Sequence, residues 1–352
     1  MSDPNCLSDY DPSGIGTING NLFGLPFDAE TANLWVIGVP WEVTVSYGAG
    51  TAQGPARILE ASPQLDLYDY DYPEGWKRGI YMQPTDASIA AQSHQYRSQA
   101  ARIIEWLEQG NSLGDSPDLS AVLAEINQAC QAMNHWLERS CLDAMAAGKQ
   151  VAVLGGDHSS PLGYLRALAQ GHREFGILHF DAHADLREAY EGFDYSHASI
   201  MFNALKIPQI SKLVQVGIRD TCEAEMDLVQ ASNGRVVSFS DPQIKGDRYR
   251  GKPWATTCAE IIAHLPHQVY VSFDVDGLDP KLCPNTGTPV PGGLELAETF
   301  FLLRELVNSG RRIIGFDVCE TGDGEWDGNV AARITYKLSN LMHLSQDREF
   351  LT

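Results

Sequence analysis

The chain has 352 residues, 43% hydrophobic and 20% charged, the balance of an ordinary globular protein. Its formal net charge of −21 excludes functions that neutralise a phosphate backbone, which take clustered lysine and arginine, and suits a small cationic partner. No apolar run approaches the roughly 20 residues that cross a bilayer. The acidic start MSDPNCLSDYDPSG has neither part of a secretory signal, and seven scattered cysteines without a CxxC pair, from Cys6 to Cys319, fit reduced thiols, so a cytoplasmic location is expected.

In chain order, residues 1–33 read as an N-terminal extension. Short β-branched and aromatic runs then predict strands at 34–39 and 79–82, separated by the loop WEVTVSYGAGTAQGP (41–55). From about 85 to 149 the strand signal gives way to two helical patterns. In the second, Val122, Leu123, Ile126, Cys130, Met133, Leu137 and Cys141 recur at three- and four-residue steps, with Ser116-Pro117 as a start signal and Gly148 as a stop. Strands resume at 151–154, 176–180, 212–218, 236–239, 269–273 and 313–318. Several are apolar on both faces, as strands covered on both sides must be. The expected fold is α/β, with a mostly parallel eight-stranded sheet between helical layers. No repeat or linker divides it, so residues 34–352 are expected to form one domain in which 85–149 is a helical insertion.

Three strands end in acidic and histidine clusters: VAVLGGDHS (151–159), ILHFDAHAD (177–185) and VYVSFDVDGLDP (269–280). In an open α/β sheet ligands bind beyond the carboxyl ends of the strands, so all three clusters point at one place. Alternation in extended backbone lets Asp181 converge with His183, and Asp274 with Asp276, while Asp185 and His158 join from the next step and a neighbouring strand. Four carboxylates and two imidazoles form a hard donor set for Mn²⁺ or a similar divalent ion. Six donors exceed the needs of one ion, whereas two ions sharing bridging carboxylates use all of them and can activate water between them. A single DxD or HxD is common on solvated loops; three at three strand ends are not. The remaining histidines, His94, His135, His172, His264, His267 and His343, read as surface or packing residues. His179 could face the site, but core packing is the expectation there.

These residues resemble the ureohydrolases, the family of arginase and agmatinase: GGDHS, DAHAD and SFDVDGLDP, followed by GTPVPGGL (287–294), occur in that family's order and spacing. The resemblance implies the three-layer α/β/α arginase-like fold and two divalent ions per subunit, Mn²⁺ by family habit with Ni²⁺ as the alternative. His158, Asp181, Asp185 and Asp274 would hold one ion, and Asp181, His183, Asp274 and Asp276 the other. It further implies that Asp185 orients the attacking hydroxide, that His197 in YSHAS passes a proton to the leaving nitrogen, and that Glu320 in GFDVCE holds the guanidinium. A homo-oligomer, hexamer or trimer, is also implied.

The segment DLREAYEGFDYSHAS (185–199) is similar to the agmatinase branch and lacks the Asn and Ser pattern with which arginases grip an amino-acid head group. Three departures point away from plain agmatinase: the 41–55 loop lacks the family's usual arginines, Glu320-Thr-Gly-Asp-Gly-Glu-Trp326 replaces the usual Glu-Val-x-Pro, and the helical insertion is unusual. Altered pocket walls imply an altered substrate tail. The combination is similar to enzymes of very small guanidino compounds, free guanidine first, with agmatine or guanidinobutyrate as alternatives. Tyr47 and Trp326 are candidate walls. Outside this class stand a catalytically silent metal-binding relative and a two-metal phosphoesterase; the second would want more cations than Arg187 and Lys281 near the motifs.

Overall fold

The computed structural model of the chain describes residues 7 and 10–347; Cys6 and the outermost parts of the expected extension and domain lie outside the described residues. Eight strands form: β1 (Leu34–Gly38), β2 (Ile80–Met82), β3 (Gln150–Leu154), β4 (Phe175–Phe180), β5 (Ile210–Ile218), β6 (Val236–Ser240), β7 (Gln268–Asp274) and β8 (Arg312–Cys319). They make one sheet in the order β2-β1-β3-β8-β7-β4-β5-β6. Every pairing is parallel, where the sequence suggested only a mostly parallel sheet. The chain makes each return outside the sheet, through α1 (Gly54–Ala61), α2 (Ala87–Glu108), α3 (Pro117–Ala146), α4 (Leu162–Gly171), α5 (Ile200–Ala204), α6 (Glu223–Ala231), α7 (Asp241–Tyr249), α8 (Trp254–Ala263), α9 (Leu296–Asn308) and α10 (Glu325–Asp347).

Both sheet faces are buried, which explains strands apolar on both sides. On β3, Val151 and Val153 face one apolar cluster with α2, α3, α4 and α5, while Ala152 and Leu154 face a second with α8, α9 and α10. The expected helical segment is the α2–α3 hairpin. Asp86 caps α2 by accepting from the Ser88 N–H, and Ser116 caps α3 with Pro117 at the first helical position. Ile103, Ile104, Ile126, Met133 and Leu137 bury in the cluster that holds Val151 and Val153. Each such side chain contributes roughly 1.5–3 kcal/mol, so packing on the sheet, more than helix propensity, fixes the hairpin. On the opposite side Leu22, Phe23, Leu25 and Phe27 of the N-terminal segment join the cluster of Ile58, Trp76 and Leu341.

A fully parallel sheet puts every strand's carboxyl end on the same edge. Strands β3, β8, β7 and β4 are consecutive in the sheet, so the three acidic clusters and Glu320 meet near its centre.

Candidate metal centre and active site

Beyond the end of β3 the chain turns through Gly155 and Gly156. A side chain at Gly156 would run into the Trp41 carbonyl, so the turn that presents His158 requires glycine there. His158 Nδ1 lies 3.0 Å from Asp181, 3.2 Å from Asp185 and 3.1 Å from Asp274 carboxylate oxygens. His183 Nδ1 lies 3.0 Å from Asp276 and 3.4 Å from Asp181. The six expected donors therefore converge as two overlapping groups with Asp181 in both, and Asp274 beside His158.

The electrostatics are those of charges crowded out of water. Burial, then Asp276 and Asp181, push the Asp274 carboxyl well up. Burial and Asp181 raise Asp185 to about 6. For Asp181, burial is outweighed by His179, His158 and His183, which hold it well below the usual carboxylate range. Divalent cations would relieve the same repulsion. The chemistry of the donor set, hard oxygens with imidazole nitrogens and no thiolate among the six, fits two such ions.

Two carboxylates hold their places against backbone preference. Asp185 and Glu320 adopt left-handed backbone, φ 55° and 63°, which non-glycine residues rarely enter. The Asp185 carbonyl accepts from the N–H groups of Met201 and Phe202, locking its loop to α5. Glu320 is 3% exposed; its N–H donates to the Gly156 carbonyl, and its Oε1 accepts from the His158 N–H at 2.9 Å. Among the described residues its Oε2 has no hydrogen-bond partner, and it abuts Gly287, where any side chain would fill the space beside it. Burial, then Asp157 and Asp276, push this carboxyl well up. A buried acceptor with no donor is costly until a donor, such as a guanidinium, fills the space.

His197 stands on the cavity wall with Asp185 and His183, in a cavity of about 330 Å³. Its N–H donates to Thr44 Oγ1 at 3.2 Å, and the Thr44 and Ser196 hydroxyls both lie 3.4 Å from its Nδ1. Burial, then His183 and His158, lower its pKa to about 3, so the imidazole is neutral at pH 7. Thr44 also donates toward Asp157 at 3.4 Å. Neither Thr44 nor Asp157 stood out in the sequence, although Asp157 sits inside GGDHS. Of the candidate walls, Tyr47 lines the cavity; Trp326 does not, and donates its indole N–H to the Lys281 carbonyl. Glu320 lies behind the lining, next to Gly287.

His179 corrects the packing expectation. It lies with His158, Asp181 and Asp185 in one potential donor group, and its Nε2 is 2.8 Å from Asp181. The Gln215 amide fixes which proton it carries. Gln215 Nε2 donates to the Ala184 carbonyl at 2.7 Å and lies 3.1 Å from His179 Nδ1, so Nδ1 accepts and Nε2–H donates to Asp181. Strand register extends this into a row: Gln215 pairs with His179, His179 with Ser272, and Ser272 with Asp317. All four are fully buried, and Ser272 Oγ reaches His158 Nε2 at 2.9 Å.

A family model described as the Arginase family matches residues 32–323. The N(1)-aminopropylagmatine ureohydrolase of Thermus thermophilus is 31% identical over 321 residues, 90% of this chain and 92% of that one. The agmatinase of Proteus mirabilis is 30% identical over 342 residues, covering 93% and 94%. In fold, the chain is similar to the agmatine ureohydrolase of Thermoplasma volcanium, with a TM-score of 0.69 at 21% identity across 98% and 99% of the two chains. With matched motifs, sheet order and near full-length coverage in agreement, the chain belongs to the arginase family.

Proposed function

We propose that this chain is a two-metal ureohydrolase of a small guanidino compound, with free guanidine as the first candidate, agmatine the second and 4-guanidinobutyrate the third. The observation that carries it is the convergence of six donors beside a buried carboxylate whose Oε2 lacks a partner among the described residues. In this reading His158, Asp181, Asp185 and Asp274 hold one ion, and Asp181, His183, Asp274 and Asp276 the other, Mn²⁺ or alternatively Ni²⁺. When bound, the pair supplies a water-derived nucleophile near neutral pH and offsets the carboxylate charge. Glu320 would orient the guanidinium, Asp185 would orient the water-derived nucleophile, and His197, with the Thr44 hydroxyl beside its Nδ1, would pass a proton to the leaving nitrogen.

The inner end of the site supports a small head group. The Gly48 N–H donates to the Gly287 carbonyl at 2.9 Å, closing backbone over the space beside Glu320. Agmatine is favoured independently by the relatives named for agmatine-type substrates. Residues 34–352 act as one unit in this reading, in a homo-oligomer, and the six free cysteines among the described residues suit the cytoplasm. No helix among those residues is long and apolar enough to cross a membrane.

The test is urea release from guanidine, agmatine, 4-guanidinobutyrate and arginine by protein loaded separately with Mn²⁺ and Ni²⁺. Urea from guanidine at the highest kcat/KM supports the reading in full. Urea from none of the pairings overturns it.

A further inference from the structure

Gln215, His179, Ser272 and Asp317 lie side by side across four adjacent strands, β5, β4, β7 and β8, on the sheet face whose other residues, such as Leu213, Ile177 and Tyr270, are apolar core. All four are fully buried. Polar side chains in such a place cost free energy unless their donors and acceptors are engaged. None of the four takes part in the proposed proton transfers.

The two inner members reach the metal centre. Ser272 Oγ lies 2.9 Å from His158 Nε2, while the other ring nitrogen, Nδ1, faces Asp181, Asp185 and Asp274. His179 Nε2–H donates to the Asp181 carboxylate at 2.8 Å. Each inner member is backed from one strand further out. Asp317 Oδ1 stands 3.8 Å from His158 Nε2, on the Ser272 side of the ring. An acceptor and a carboxylate there favour the tautomer with its proton on Nε2, which leaves the Nδ1 lone pair for the centre. Gln215 occupies His179 Nδ1 from β5, 3.1 Å away, so the His179 ring has no lone pair left to offer an ion. It acts as a donor to Asp181 and not as a seventh ligand, although it lies within the donor group of His158, Asp181 and Asp185.

Resting on the two-metal reading, we propose that Ser272 and His179 are positioning residues that assemble the centre before an ion arrives: Ser272, backed by Asp317, aims His158 Nδ1 at one ion, and His179, backed by Gln215, holds Asp181 for both. A ligand already aimed loses less rotamer freedom on binding, and a histidine whose far N–H is accepted is the stronger donor. The two ions are served unequally, since the His183 side chain, on the second ion alone, is 25% exposed at the cavity wall.

The experiment titrates the metal-free full chain with Mn²⁺ and, separately, Ni²⁺ by calorimetry, with metal retained after dialysis as a second measure and circular dichroism as the check on folding. Ser272→Ala should weaken one ion of the two by about ten- to a hundredfold and leave the other near its wild-type affinity. His179→Phe, acting through the shared Asp181, should weaken both, and His179→Gln, whose amide keeps an N–H for Asp181, should recover most of the loss. Val271→Ala, beside Ser272 on the opposite face of β7, should lower the melting temperature of the metal-free chain and leave both affinities in place. Should His179→Phe fail to fold, the Ser272→Ala arm decides. Unchanged affinities in folded Ser272→Ala, or an equal loss in Val271→Ala, overturn the proposal and leave the two-metal reading intact. A wild type that takes up neither Mn²⁺ nor Ni²⁺ would sink the two-metal reading and the positioning roles with it.

Discussion

At the scale of single residues, the proposed proton carrier His197 needs its ring held, and the Thr44 hydroxyl lies 3.4 Å from its Nδ1. Replacing Thr44 with valine keeps the shape and removes the hydroxyl beside Nδ1. The expected result is a fall in kcat of about three- to tenfold, the worth of one modest hydrogen bond, with KM little changed. Serine at position 44 should restore most of the rate; an unchanged kcat in the valine variant would remove Thr44 from the mechanism. The six donors were legible because carboxylates and histidines in alternation at strand ends have few structural uses. Thr44 was not, because a lone threonine in a loop carries no signal until folding brings it 153 positions along the chain to His197. His179 was misjudged for a related reason. Its neighbours Leu178 and Phe180 are core residues, and its polar partner Gln215 arrives from a different strand through register that no local pattern encodes.

At the scale of elements, the α2–α3 hairpin was visible from periodicity and caps, yet its role was not, because the side chains it lends to the site are ordinary polar residues. From α2, Ser93 accepts from the Glu42 N–H at 3.0 Å, and Glu42 in turn accepts from the N–H groups of Gly50 and Ala52 in the loop bearing Tyr47. From α3, Asn127 donates to the Gly192 carbonyl at 3.2 Å and accepts from the Asp194 N–H at 3.0 Å, in the loop that leads to His197. The hairpin thus pins both loops at the cavity mouth. Asn127→Ala should lower kcat/KM by about three- to tenfold while moving the melting temperature by only a few degrees, since the cost of one partly buried and one exposed bond is small for a chain of this size. Activity retained in full would show that the loop holds its shape without α3.

At the scale of the whole molecule, pH couples to folding through groups buried far from the site. His343 on α10 is fully buried, and burial, then Arg78, lower its pKa from 6.5 to about 3. Above pH 6.5 the folded and unfolded chains both carry it neutral. As pH falls below that value the unfolded chain takes up a proton that the folded one refuses, so stability is lost at up to about 1.4 kcal/mol per pH unit until the folded pKa is reached. His343→Phe should therefore flatten the denaturant midpoint against pH between about 6 and 4 relative to wild type; parallel curves would assign the acid sensitivity to other groups.

The crowding of carboxylates described at the strand ends has a consequence for the life of the protein as well as its turnover. In the proposed reading the native state alone gathers the donors, so bound ions stabilise it by mass action, about 2.7 kcal/mol for each ion present at a hundredfold excess over its Kd. Chelation should lower the melting temperature and hasten cleavage by an added protease, both reversed on returning the metal; identical melting with and without chelator would argue against ions held by these residues. A cell starved of that metal would then lose the polypeptide itself to degradation, and abundance would follow ion supply without any change in synthesis.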